Sequence, residues 1–418
     1  MNLKTLKHQH VTYQYIKTKQ FKTRVLTVRF LRDLTRVNTN ANHVLVGMMK
    51  AKNAITKTRK AHIKALDTLY GSSFYAHVTK IGTKHVTQFT MVFPDQKYIK
   101  DSHFFHDVID FFKTSLFNVA LDKATFDEEK QFLEDYFKSQ YTNKTRYARN
   151  QHHKHVYQDY PFNQNPLGDE ESLPQLTLDD VEKSYHEMID ESQIYISYIG
   201  NDDSETVHNV LLKDLNLKSV DAPLEMIYPF EFTPLKAVKE SMKVTQNRLF
   251  LSFISNTYLT HENYMTMLVF NSLFGEGSDS LLFRSVREEA SLVYYIYSNY
   301  ATMTGLVHVA SGLDKNNVEE GKKRIFEVLK AIQEGNFSLE DLELAKTQLV
   351  SSLKQSYDSV LSLSYKAMMN ELFNLSFNEK EIISKIQCIQ KEDVVKISKQ
   401  LTFMFEYQLG GFDENILS

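Results

Sequence analysis

Fifteen histidines are spread through the chain, so a catalytic metal is the first chemistry to test. A hydrolytic zinc helix needs two imidazoles one turn apart, with a glutamate beside them as base for the bound water. The spacing H-x-x-E-H meets that need, because it puts both rings on one helix face. No segment satisfies it. His186-Glu187-Met188-Ile189-Asp190 approaches H-E-x-x-H but ends in aspartate. His103-Phe104-Phe105-His106-Asp107 has histidine and aspartate in the last two positions of H-x-x-E-H. His152, His153 and His155 cluster in a polar stretch and read as surface residues. The acidic helix from Phe126 to Phe137, with Glu134 and Asp135, is the kind of element that lends a third ligand. Without the first two ligands it reads as a solvated face. The expectation is a chain with no metal ligands and no catalytic residue of its own.

A second constellation runs from Gly275 to Tyr300. Gly275 and Gly277 permit a sharp turn. The helix expected over 281–289 turns Leu282, Phe283 and Val286 inward and carries Arg287; Tyr294 opens the next strand. A guanidinium and a phenol together can hold a peptide carbonyl or an oxyanion. On the residues alone, Arg287 paired to a neighbouring glutamate is the commoner arrangement. There is no G-x-S-x-G, phosphate loop or dinucleotide fingerprint. The single cysteine, Cys388, excludes an internal disulfide framework and reads as a packed small hydrophobe.

The elements that must position these residues fall into two halves. Residues 176–201, LTLDDVEKSYHEMIDESQIYISYIGN, and 389–411, IQKEDVVKISKQLTFMFEYQLGG, share one design. Each has carboxylates in the first helical turn, then a helix, then a strand ending in glycine. Pro223, Pro229 and Pro234 mark 216–240 as a linker between domains over 1–215 and 241–418. Strands are expected over 24–30, 86–93, 250–254 and 293–300. Helices are expected over 42–52, 105–117, 126–137, 264–274, 318–333 and 339–361. Mixed runs of this kind give an α+β fold, each half a mainly antiparallel sheet backed by helices.

At 418 residues, with 42% hydrophobic and 24% charged side chains, the chain has the composition of a soluble globular protein of more than one domain. A net charge of −3 gives no electrostatic case for nucleic acid or membrane binding. The basic start lacks an apolar stretch, and no 18-residue apolar run occurs, so a cytoplasmic location is expected.

Taken together, these segments resemble the insulinase/pitrilysin family, on the branch of the mitochondrial processing peptidase and small bacterial paired peptidases. Gly275, Gly277, Ser280, Leu282, Phe283, Arg287, Glu288, Leu292, Val293 and Tyr294 are similar to the family's second-half signature. Gly200-Asn201-Asp202-Asp203-Ser204 and Asn165-Pro166-Leu167-Gly168 are similar to two of its loops. In catalytic members H-x-x-E-H lies on the first helix; the matching segment, NTNANHVLVGMMKA, carries His43 alone. Leu66-Asp67-Thr68-Leu69-Tyr70-Gly71 and Lys19-Gln20-Phe21-Lys22-Thr23 resemble a zinc-less, YfmF-like subgroup of Firmicutes.

The resemblance implies a LuxS/mitochondrial processing peptidase-like metallohydrolase fold. It further implies a non-catalytic, peptide-binding subunit that pairs with a zinc-bearing, YfmH-like homologue, with Arg287 and Tyr294 gripping a peptide or unfolded polypeptide. That subgroup is also associated with modification of elongation factor P. Two alternatives stand beside this reading: an active metallopeptidase with atypical ligands such as His103 and His106, and a scaffolding protein with no proteolytic role. On either account similar halves can self-associate, which leaves a homodimer open to the chain when the partner is missing.

Overall fold

A computed structural model describes residues 2–158, 160–221, 226–227 and 236–411. The first part of the chain contains β1 (Asn2–His8), β2 (Val11–Lys17), β3 (Thr23–Asp33), α1 (Arg36–Ala51), α2 (Arg59–Thr68), β4 (Ser73–Ile81), β5 (Lys84–Pro94), α3 (Phe104–Phe117), α4 (Lys123–Thr142), α5 (Lys144–Val156), α6 (Leu178–Asp190), β6 (Gln193–Gly200) and α7 (Ser204–Leu215). The second contains β7 (Lys236–Ser241), β8 (Asn247–Ile254), α8 (Tyr264–Phe274), β9 (Val293–Ala301), β10 (Leu306–Leu313), α9 (Val318–Gln333), α10 (Leu339–Tyr357), α11 (Val360–Phe373), α12 (Glu379–Cys388), α13 (Lys391–Ser398) and β11 (Thr402–Gly410).

The repeat seen in the sequence is a repeat of topology. One sheet has the order β1-β2-β6-β3-β5-β4 and the other β7-β11-β8-β10-β9. Setting aside β1, both sheets follow one path: a parallel pair (β2–β6, β7–β11), then antiparallel ladders. The helices α6 and α13, which lead into the equivalent strands β6 and β11, both start with a capping box. In each, the third residue, Asp180 or Asp393, accepts from the cap backbone N–H at 2.9 Å. Such caps stabilise a helix start by about 0.5–2 kcal/mol.

The chain forms two compact units that do not follow its two halves. Unit 1 comprises Met1–Ser139, Pro161–Met226 and Ser359–Leu372; unit 2 comprises Gln140–Tyr160, Ile227–Asp358 and Phe373–Ser418. Thus α5 belongs to unit 2 and α11 to unit 1. The sheets explain why. In β2, six consecutive residues from Val11 to Ile16 are buried, and β8 is buried almost throughout. Strands of that kind need cover on both faces. In unit 1, one face is packed by α1, α3 and α6 around Val44, Leu45, Met48, Phe112 and Val181. Each such side chain contributes about 1.5–3 kcal/mol when fully buried. The other face takes α11: Gln14 Nε2 donates to the Ala367 carbonyl at 2.6 Å, and Arg29 Nη2 to Ser364 Oγ at 2.9 Å. Arg29 is fully buried among neutral acceptors, and desolvation pushes its guanidinium down to about 9.

Several expectations need correction. The helix expected over 339–361 is two helices. Asp358 ends α10, and Ser359 starts α11, its Oγ accepting from Ser362 N at 3.3 Å. The segment 281–289 is helical, but Phe283–Glu289 is wound as a π-helix, a form that gathers at functional sites. Pro223, Pro229 and Pro234 lie outside the described residues, and Lys236–Ser241, inside the segment read as linker, is strand β7. No helix among the described residues is long and apolar enough to cross a membrane.

Candidate functional site

Counting H-x-x-E-H from His43 along α1 puts the glutamate position at Val46 and the second histidine at Gly47. Val46 is buried in the core of unit 1. Gly47 faces α4: a Cβ there would lie 2.2 Å from Glu129 Oε2 and 2.7 Å from its Cδ. The Glu129 carboxylate is mostly buried and paired with Arg59 of α2. Arg59 also reaches Glu128 at 3.2 Å. A carboxylate–guanidinium pair therefore fills the space that a ligand on residue 47 would need.

His43 is employed in holding a loop. Its Nδ1 donates to the Leu167 carbonyl at 2.8 Å, and burial pushes its imidazole below the ordinary value. Asn40, one turn earlier, takes the same loop from the other side. Its Oδ1 accepts from Asp169 N and its Nδ2 donates to Asp169 O, both at 2.9 Å. Gly168 between them has φ +124, and a Cβ there would meet Asn40 Oδ1 at 2.1 Å. His85 on β5 completes the clasp. Its Nε2 donates to the Pro166 carbonyl at 2.9 Å, while Nδ1 accepts from Asn42 at 2.7 Å. Burial pushes His85 down to about 4.

A zinc ion does not fit these residues. Catalytic zinc takes three protein ligands and an open position. Here His43 and Glu129 are the only donors of the expected set, Glu129 is already neutralised, and Val46 cannot act as base on water. Among the described residues, no group of three or more histidine, cysteine or acidic side chains is placed to hold a metal ion.

The other histidine motifs go separate ways. His103 and His106 are exposed at the start of α3. His186 is exposed, while its neighbour Glu187 pairs with Arg32 at 3.0 Å. Asp135 is exposed and pairs with surface side chains of α4. The acid on that helix that faces α1 is Glu129, not Glu134 or Asp135. The expectation that the 152–155 cluster lies on the surface is wrong for His152, which is 4% exposed against the sheet of unit 2. Cys388, expected to be packed, is exposed.

Around Gly275 the sequence reading points to a built feature in unit 2. A Cβ on Gly275 would fall 2.6 Å from Ser298 Oγ, and the Gly275 carbonyl accepts from Ser298 N at 2.9 Å. Gly277 has φ +106. The turn thus ties the end of α8 to β9, with Ser298 Oγ donating to Asn271 Oδ1 at 2.8 Å. Arg284, rather than Arg287, pairs with an acid, Asp341. Arg287 is exposed, its guanidinium 4.8 Å from the Phe283 ring centre. Tyr294 sits in a β-bulge: Val293 pairs with Leu313 and Tyr295 with Gly312, leaving Tyr294 without a partner in the register. Bulges re-aim side chains. Tyr294 is half-exposed, and its hydroxyl donates to Asp314 Oδ1 at 3.1 Å.

Each unit is a mainly antiparallel sheet backed by helices, and α1 of unit 1 carries valine and glycine where a zinc helix has glutamate and its second histidine. The family model of the peptidase M16 inactive domain matches residues 175–349. The chain is 27% identical, over 97% of each sequence, to the "Probable inactive metalloprotease YmfF" of Bacillus subtilis. It is 25% identical, over 61% of its length and 62% of the relative's, to the "Uncharacterized zinc protease YmxG" of the same organism. In fold it is similar to a conserved protein from Enterococcus faecalis, with a TM-score of 0.92 and 24% identity over 99% of this chain and all of that one.

Proposed function

We propose that this chain is the non-catalytic, peptide-binding subunit of a two-chain zinc endopeptidase, and that a homologous partner with H-x-x-E-H supplies the metal. The observation that carries the reading is the filled space at Gly47: with Glu129 and Arg59 there and valine at residue 46, this chain has no means of activating water. Its own contribution is Arg287 and Tyr294, exposed on the π-helical segment and a bulge, where a guanidinium and a phenol bind peptide carbonyls. The subgroup resemblance extends this reading to elongation factor P modification. The deciding experiment is purification from the native cell. A homologue bearing H-x-x-E-H should accompany the chain, and the pair, unlike either subunit alone, should cleave an unfolded polypeptide. Chelator-sensitive cleavage by the lone chain would overturn the reading.

A further inference from the structure

Unit 2 receives α5 through a buried polar chain. His152 Nε2 lies 2.7 Å from Ser252 Oγ on β8, and the same hydroxyl is 2.9 Å from His308 Nδ1 on β10. His308 Nε2 is 3.2 Å from the Tyr157 hydroxyl, which continues to Thr304 Oγ1 at 3.1 Å. The two imidazoles meet edge to face at 5.1 Å, and His152 stacks on Phe250. Ser252 has one proton to give, so it can donate to only one of the two rings and must accept from the other. The chain is satisfied when both rings are neutral.

Among the described residues, the remaining charged and titratable groups around it leave no carboxylate bonded to either ring. On α5 itself stand His153, Lys154 and His155. From β11 come Phe405 and Tyr407, whose rings stack on His155. From β7 comes Glu240, but its two oxygens accept from Tyr147 and Tyr407, both at 2.6 Å, and its charge favours protonation of His155 rather than of the buried pair. Arg248 of β8 reaches Thr145 of α5 at 3.4 Å.

We propose that α5 is an acid-released strap: protonation of the His152–His308 pair frees this helix from the sheet of unit 2 while the rest of the unit stays folded. Two like charges 5 Å apart around one hydroxyl break the chain of hydrogen bonds. The cheapest relief is for α5 to lift, because it is a separate run, Gln140–Tyr160, flanked on both sides by chain that belongs to unit 1. Burial lowers both imidazoles, His308 to about 4, so the docked form resists protonation that the lifted form accepts near 6.5. The strap is therefore fully held above pH 6.5 and loosens as pH falls from there towards 4.

The test is hydrogen exchange of the full chain between pH 7.5 and 4.5, corrected for intrinsic exchange, comparing α5 with α9 of the same unit. Each extra proton bound on opening multiplies the opening constant tenfold per pH unit, so α5 should lose protection by up to about 100-fold per unit while α9 keeps its own. His308→Asn or His152→Gln, which keep polar groups in place, should reduce that slope to about tenfold per unit or less. Equal loss in α5 and α9, or flat protection of α5 across the window, overturns the proposal. These readings on the native chain decide the matter even if neither variant folds.

Discussion

The carboxylate of Glu129 stands where a side chain on Gly47 would have to begin, 2.2 Å from the ideal Cβ. The absent zinc ligand and the acid that faces it are thus one structural feature. Adding a methyl group there displaces only the tip of a flexible side chain. Glu129 is mostly buried, but Arg59 is 39% exposed and keeps Glu128, so loosening the pair costs about 1 kcal/mol, and alanine gains about 0.5–1 kcal/mol over glycine inside a helix. Gly47→Ala should change stability by less than about 1 kcal/mol in urea unfolding.

Gly47→His should do more. His43 already donates Nδ1 to the Leu167 carbonyl, which is how metal-binding imidazoles are oriented with Nε2 free. A histidine at 47 has to push Glu129 off Arg59, and the displaced carboxylate then joins His43 and the new imidazole as a three-ligand set. The native chain should contain no stoichiometric zinc and the variant close to one per chain by elemental analysis. An empty variant would show that the geometry around α1 has drifted beyond repair.

Arg287→Ala combined with Tyr294→Phe removes two exposed groups that support no core. Stability should shift by less than about 0.5 kcal/mol. Activity of the reconstituted pair should fall by about tenfold or more, each lost peptide contact being worth on the order of 1 kcal/mol. An unchanged rate would take both residues out of the site.

Ser364→Ala leaves the buried Arg29 guanidinium short of its 2.9 Å acceptor. Gln88, Ser197 and the Ser364 carbonyl still accept from Arg29, so losing this one charge-assisted bond costs about 1.5–3 kcal/mol, and α11 should exchange faster in the variant than in the native chain, with little change in the helices of unit 2.

His85 gives unit 1 its own pH dependence. Its folded value is about 4, against 6.5 when exposed, so the unfolded chain binds the extra proton in that interval. Stability is complete above pH 6.5 and declines as pH falls towards 4, by about 2–3 kcal/mol at the end. His85→Asn should flatten the pH profile of α1 exchange over that range.

Much of this was legible in the sequence because it is local. The helices 264–274 and 318–333 match α8 and α9 end to end, their apolar spacing being written in consecutive turns. The repeated cap–helix–strand segments became equivalent strands in the two sheets. What was missed depends on distant partners. Nothing near His152 shows that Phe250 and His308 will cover it; α5 offers only Ala148, His152 and Val156 as a buried stripe. Glu129 was within reach: it follows Phe126 by three residues and precedes Leu133 by four, so helical phase turns it inward with them, whereas Glu134 and Asp135 fall beyond the stripe. The α10–α11 break was signalled by the Asp358-Ser359 pair, which a continuous apolar periodicity masked.

The placement of α11 in unit 1 bears on how the protein is made. The ribosome releases residues up to Met226 well before it reaches Ser359–Leu372, so the amino-terminal sheet emerges with one face bare. At about 5–20 residues per second, that nascent surface waits for roughly seven to thirty seconds. Chaperone capture in that interval is the natural consequence, and so is the failure of a fragment ending at residue 226 to stay monomeric unless α11 is supplied on a tether.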